Sequence, residues 1–156
     1  MSFVGVIFAI IALDQWSKWM IKTSYKLYQS EPIIEGFLYF TYVTNDGMAF
    51  GLSFPGGKTI LLIVTLILTG VIMWMLWKEK NSHNLIRYGL TLILAGAIGN
   101  FIDRFYLGYV IDFIDWHIGV HHWPTFNVAD IFITLGIAIF LMKDMIVKKR
   151  CFEKKK

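Results

Sequence analysis

The chain has 156 residues, of which 56% are hydrophobic and only 17% charged. A soluble domain needs more charge than this to cover its surface, and a disordered chain carries far less apolar content. Modest glycine and the lack of an internal period exclude collagen-like and repeat architectures, which leaves an integral membrane protein, read as one domain over 1–156.

The first predicted element is an apolar helix over about 3–21, interrupted by Asp14, Gln15 and Lys18. It lacks the basic start and the small-residue cleavage site of a signal peptide, so it reads as a retained helix. The link that follows, about 24–58, contains the run FLYFTYVTN and then Asn45-Asp46-Gly47. Such β-formers and turn residues predict a few short strands resting at the membrane surface. A second helix, about 59–77, carries no charge, and a third covers about 85–102. Between the third and fourth helices lies a link from about Asp103 to Phe126, whose Trp116 and Trp123 suit an interfacial aromatic belt. The fourth helix is read over about 127–146, followed by a basic tail over about 147–156.

The net charge is +4, and seven of the 15 Lys and Arg fall between Lys143 and Lys156. Cations just beyond an apolar run read as topology signals and lipid-headgroup contacts rather than a nucleic-acid surface. Together with Lys78, Lys80 and Arg87, they place both termini in the cytoplasm and the two longer links outside. Lys18, Lys22 and Lys26 run against this rule and are expected to snorkel to the outer headgroups. The single cysteine, Cys151, lies in the tail and makes no internal disulfide.

Polar residues gather at one depth. Asp14 and Lys18 share a face of the first helix, while Asn100, Asp103 and Arg104 sit at the outer end of the third. Asn127, Asp130 and Thr134 follow helical spacing at the outer start of the fourth. Charged groups in lipid face an interior or a water-filled cavity, so these residues are expected to meet in one pocket. Asp103, Asp112, Asp115 and Asp130 lie near that boundary, with Glu31, Glu35 and Asp46 in the first outer link. Two close carboxylates that share a proton can activate a water and protonate a leaving group without a metal. Ion or proton transport through the same carboxylates and plain inter-helix hydrogen bonding stay open on chemistry alone. Asp103 beside Arg104 also reads as a structural ion pair. His117, His121 and His122 complete no recognisable zinc motif, and no serine sits in a nucleophile elbow. Gly96 and Gly99 read as small residues that let helices approach closely.

The ordered blocks DQWSK, TNDGMAFG, GNFIDR, GYVIDFID and PTFNVAD, from Asp14 to Asp130, resemble lipoprotein signal peptidase (signal peptidase II). The resemblance implies a mostly α integral membrane protein of the bacterial cytoplasmic (inner) membrane. It would have four transmembrane helices, a small β-rich extracytoplasmic cradle and an active site near the outer face. It implies an aspartyl peptidase without cofactor or metal, acting as a monomer among membrane lipids on diacylglyceryl-modified prolipoproteins. Asp112 and Asp130 would be the catalytic pair. Asn45, Gly47, Asn100, Arg104 and Asn127 would shape the substrate site, and Asp14, Lys18 and Asp103 would be structural. This chain departs from the family pattern at Asp46, at Met48 and at Ile131, where serine is usual.

Overall fold

The computed structural model describes residues 2–46, 56–80, 85–119 and 121–153. In chain order the elements are α1 (Phe3–Ser24), β1 (Ser30–Ile34), β2 (Leu38–Asn45), α2 (Gly57–Lys78), α3 (Leu85–Leu107), β3 (Val110–Ile118), β4 (His121–His122) and α4 (Val128–Glu153). Ser2 starts α1 by accepting from Gly5 N at 3.1 Å, as an N-cap serine does. Among the described residues, α1, α2 and α3 are long and apolar enough to cross a membrane, and α4 carries a shorter apolar stretch over Val128–Met142.

The helices pack through α3. Its glycines let the neighbours come close: a Cβ on Gly96 would lie 2.4 Å from the Ala129 carbonyl oxygen, and one on Gly99 would lie 2.6 Å from Asp14 Oδ2. Gly89 and Gly136 make a matching contact lower down, where a Cβ on Gly89 would meet the Gly136 oxygen at 2.8 Å. The expectation that small residues set helix approach therefore holds. By contrast, α2 exposes Ile60, Ile63, Leu66, Ile67 and Trp74, an apolar surface suited to lipid.

The strands form one antiparallel sheet in the order β1-β2-β3-β4. Register shifts between Phe40 and Val43, a β-bulge that re-aims the strand where it approaches the site. The sheet rests on the helix ends through Ile21, Tyr42, Ile111 and Phe113, with Leu107 and Val128 packed alongside. Phe40 meets Phe113 edge-on at 5.6 Å between ring centroids.

Four expectations need correction. The third helix, expected to end near residue 102, runs on through Asp103 and Arg104 to Leu107; nothing breaks the helix before Gly108, whose φ of 76° turns the chain away. The second outer link is more than an aromatic belt, because Val110–Ile118 is the longest strand in the sheet. The segment over 147–153 continues α4 rather than forming a separate tail; cations near a helix C-terminus are stabilised by its dipole. Finally, Lys18 does not reach the headgroups but is 2% exposed inside the helix bundle.

Candidate active site

The buried Lys18 explains itself through its partners. Its ammonium has three donors, and three acceptors surround it: Asp14 Oδ2 at 2.9 Å, Asp103 Oδ2 at 2.9 Å and Asn100 Oδ1 at 3.1 Å. The two carboxylates are satisfied in turn. Asp14 Oδ1 accepts from Ala129 N at 2.9 Å, and Asp103 Oδ2 accepts from Ile111 N at 3.2 Å. Gln15, absent from the sequence-based candidates, joins them: its Nε2 lies 2.9 Å from Asp103 Oδ1 and 3.2 Å from both Asp14 Oδ2 and the Gly99 carbonyl. Its only signal in the sequence was its place beside Asp14. Asp103 thus pairs with Lys18 instead of forming the expected ion pair with Arg104. A buried charge with all its partners present is tolerable, and removing one partner typically costs about 3–5 kcal/mol.

Asn100 carries this network to the outer surface. While its Oδ1 is held by Lys18, its Nδ2 donates to Asp130 Oδ1 at 2.8 Å. Asn127 does the rest. It precedes α4 as an N-cap, its Oδ1 accepting from Asp130 N at 3.0 Å while Asp130 Oδ2 accepts from Asn127 N at 3.2 Å. This reciprocal arrangement is a capping box with an aspartate in the third helical position. Asn127 Nδ2 then donates to Asp112 Oδ1 at 2.6 Å and to Asn100 Oδ1 at 3.1 Å. One fully buried amide therefore touches both the carboxylate of β3 and the cap of α4.

Strand pairing accounts for that meeting. Ile114 bridges Phe126, with Ile114 N donating to the Phe126 oxygen at 2.8 Å and Phe126 N returning a bond at 3.1 Å. The chain entering α4 is thus pinned beside β3, and Asn127 falls against Asp112. On the other side, Val43 is the register partner of Asp112, and Asn45 Nδ2 reaches Asp112 Oδ2 at 2.9 Å. Burial pushes the Asp112 carboxyl up to about 6, and the nearby Asp130 charge adds to the rise. The amides of Asn45 and Asn127 and the charge of Lys18 pull it partly back. Arg104 interacts electrostatically with Asp130, Asp112 and Asp103, and its buried Nε has no hydrogen-bond partner among the described residues.

Two cavities flank the pair. A polar one of about 480 Å³ lies over Asp112 and is lined by Tyr28, Val43, Asn45 and Thr125. An apolar one of about 540 Å³ leads away from Asp130 between Trp116, Trp123, Ile131 and Leu135. Thr125 lines both.

The structure thus brings together Asn45, Asn100, Arg104, Asp112, Asn127 and Asp130, above a layer of Asp14, Lys18 and Asp103. Gly47 lies outside the described residues. Asp115 stands apart in the sheet, accepting from Thr41 Oγ1 at 2.8 Å and lying 3.1 Å from His117 Nε2.

A helical membrane protein with two carboxylates cross-linked by one asparagine at a helix cap belongs, by its chemistry, among candidate acid–base hydrolases. Comparison with known proteins places it more narrowly. Residues 6–146 match the family model described as signal peptidase (SPase) II. The lipoprotein signal peptidase of Desulforapulum autotrophicum is 43% identical over 137 residues, covering 85% of this chain and 84% of that protein. That of Syntrophus aciditrophicus is 42% identical over 147 residues, covering 90% and 89%. A solved bacterial membrane enzyme, 32% identical, superposes with a TM-score of 0.83 over 99% of this chain and 92% of its own. The chain belongs to the signal peptidase II family.

Proposed function

We propose that the protein is a membrane aspartyl endopeptidase that removes signal peptides from diacylglyceryl-modified prolipoproteins. The observation that carries this reading is Asn127 bonded to Asp112 and, through the cap, to Asp130. The names of the relatives supply lipoprotein signal peptides as the substrate class, and the diacylglyceryl modification is what the family resemblance implies.

In this reading Asp130 is the general base. Its place in the first turn of α4 favours negative charge, and Asn100 and the Asn127 backbone both donate to it. Asp112, raised by burial, holds a proton and is the general acid. A water between them attacks the scissile carbonyl carbon as Asp130 takes its proton. The peptide C–N bond breaks as Asp112 protonates the departing amine of the lipidated cysteine. One proton then passes from Asp130 back to Asp112, which restores the starting state. Arg104, with an unpartnered Nε beside the pair, would hold the substrate backbone or its developing oxyanion. Asn45 would bound the site on the β2 side, and the family resemblance adds Gly47 to the substrate-binding residues. Asp14, Lys18 and Asp103 would serve as its structural base.

The membrane arrangement follows the same reading. The capped start of α4 opens at the outer face, α4 makes a fourth crossing, and both termini lie in the cytoplasm of a multi-pass inner-membrane protein. The monomer would suffice, because both carboxylates come from one chain, and lipid anchoring of the substrate raises its local concentration. Ion transport draws little support: among the described residues, α2 contributes only Thr69 to the buried polar set.

The test is incubation of the purified protein in detergent with a prolipoprotein carrying or lacking diacylglycerol. Cleavage of the lipidated form alone, insensitive to chelators, is expected. Equal cleavage of both forms, or none, would contradict the reading. Loss with a chelator and rescue by metal would point to the histidines.

A further inference from the structure

We infer that Tyr28 is a specificity-determining residue that contacts the substrate polypeptide downstream of the scissile bond. This rests on the peptidase reading above. Tyr28 breaks a local rule. Its φ is 66°, and among the described residues it is the only one other than glycine in the left-handed region. The chain turns there between α1 and β1. Gln29 N donates to the Lys26 oxygen at 2.9 Å, so Tyr28 is the third residue of a four-residue turn. A positive φ at that position favours glycine or asparagine, because a larger side chain crowds the following carbonyl.

Packing does not account for the tyrosine, which is 71% exposed. The backbone around it is nevertheless fixed. Tyr28 N donates to the Tyr42 oxygen at 2.8 Å, and Tyr42 N donates to the Gln29 oxygen at 3.0 Å. Tyr42 is buried, and the next residue, Val43, is the register partner of Asp112. The turn is therefore tied to the strand that flanks the acid pair. Residues held in disfavoured backbone regions by their surroundings cluster at active sites and ligand clamps.

The cavity defines what Tyr28 would meet. It lines the polar cavity over Asp112 together with Thr44, Asn45, Asp46 and Thr125. Exposed and lining at once, it stands at the mouth of that cavity. In the reaction above, Asp112 protonates the departing amine, so its side of the pair is the leaving-group side. The polypeptide that continues from that amine runs out through this cavity. Hydroxyl, amide and carboxylate side chains suit the backbone and polar groups of such a segment. The cavity beside Asp130, walled by Trp116, Trp123, Ile131 and Leu135, does not. A tyrosine offers a ring face to a side chain and a hydroxyl to a peptide group.

The test uses two diacylglyceryl-modified lipopeptides with the same signal segment. One ends in an amide directly after the modified cysteine; the other continues for several polar residues. Wild type is compared with Tyr28→Gly and Tyr28→Asn. Both replacements suit a left-handed backbone, so both variants should melt no lower than the wild type. Their KM for the extended substrate should rise about tenfold, as loss of one aromatic contact implies, with a much smaller rise for the truncated substrate and little change in kcat. A lower melting temperature in both variants would assign Tyr28 to the fold and overturn the proposal. Equal changes in KM for the two substrates would overturn it as well. So would a response to the length of the signal segment instead of the downstream one, by placing Tyr28 on the other side of the scissile bond. Absence of cleavage by the wild type would instead defeat the peptidase reading itself.

Discussion

Asp112 shows how burial and donors are balanced on a single carboxyl. Only 2% of it is exposed, and burial pushes its proton affinity up to about 6. The Asn45 amide opposes this by favouring the ionised form. If catalysis requires the proton on Asp112, kcat/KM should fall on the basic side of that value. Removing the Asn45 amide by Asn45→Ala should raise the carboxyl further and move the basic limb to higher pH. A limb that stays in place, or moves down, would show that another group controls it. The same shift has a stability sign. A carboxyl raised on folding stabilises the protein fully below its unfolded value, near 4, and that contribution is lost as pH rises through about 6. Thermal unfolding across this window, compared with Asp112→Asn, should show the loss in the wild type alone.

At the scale of elements, α3 is the member against which the others are aligned. Gly96 stands 2.4 Å, measured from an added Cβ, from the Ala129 carbonyl, one residue before Asp130. Gly96→Ala should force α3 and α4 apart, cost about 1–3 kcal/mol of stability and depress kcat, because Asn100 and Asp130 ride on the two helices. A variant with wild-type melting and turnover would show that the contact is slack. Much at this scale was legible in the sequence. Apolar length marked the membrane helices, and helical spacing put Asn100 with Asp103 and Asn127 with Asp130. What escaped was tertiary. Nothing local distinguishes a lysine that snorkels from one ringed by Asp14, Asp103 and Asn100. The β3 strand was hidden because its side chains are mostly buried, so VIDFIDW lacks a clean alternation. The contact of Asn127 with Asp112 depends on the Ile114–Phe126 bridge, which no spacing announces. Asp112 and Asp130 themselves came from the resemblance in the sequence, since chemistry alone left several carboxylates in contention.

Across the whole molecule, the proposed orientation joins charge to chemistry: the basic C-terminal end lies inside and the acid pair outside. Cys151 is the only cysteine in the chain and provides a direct probe. A membrane-impermeant maleimide should modify it in inverted vesicles and not in intact spheroplasts; the opposite pattern would reverse the topology and move the acid pair to the cytoplasmic face. The central claim is that two carboxylates, delivered by a strand and by a helix cap, act as one catalytic unit. Turnover of a diacylglyceryl-modified prolipoprotein by purified Asp112→Asn and Asp130→Asn tests it most directly, with Asp115→Asn as the control from the same sheet. The account expects each of the first two to lose roughly a thousandfold or more in kcat while remaining folded, and the control to keep substantial activity. Wild-type turnover in either Asp112→Asn or Asp130→Asn would contradict it.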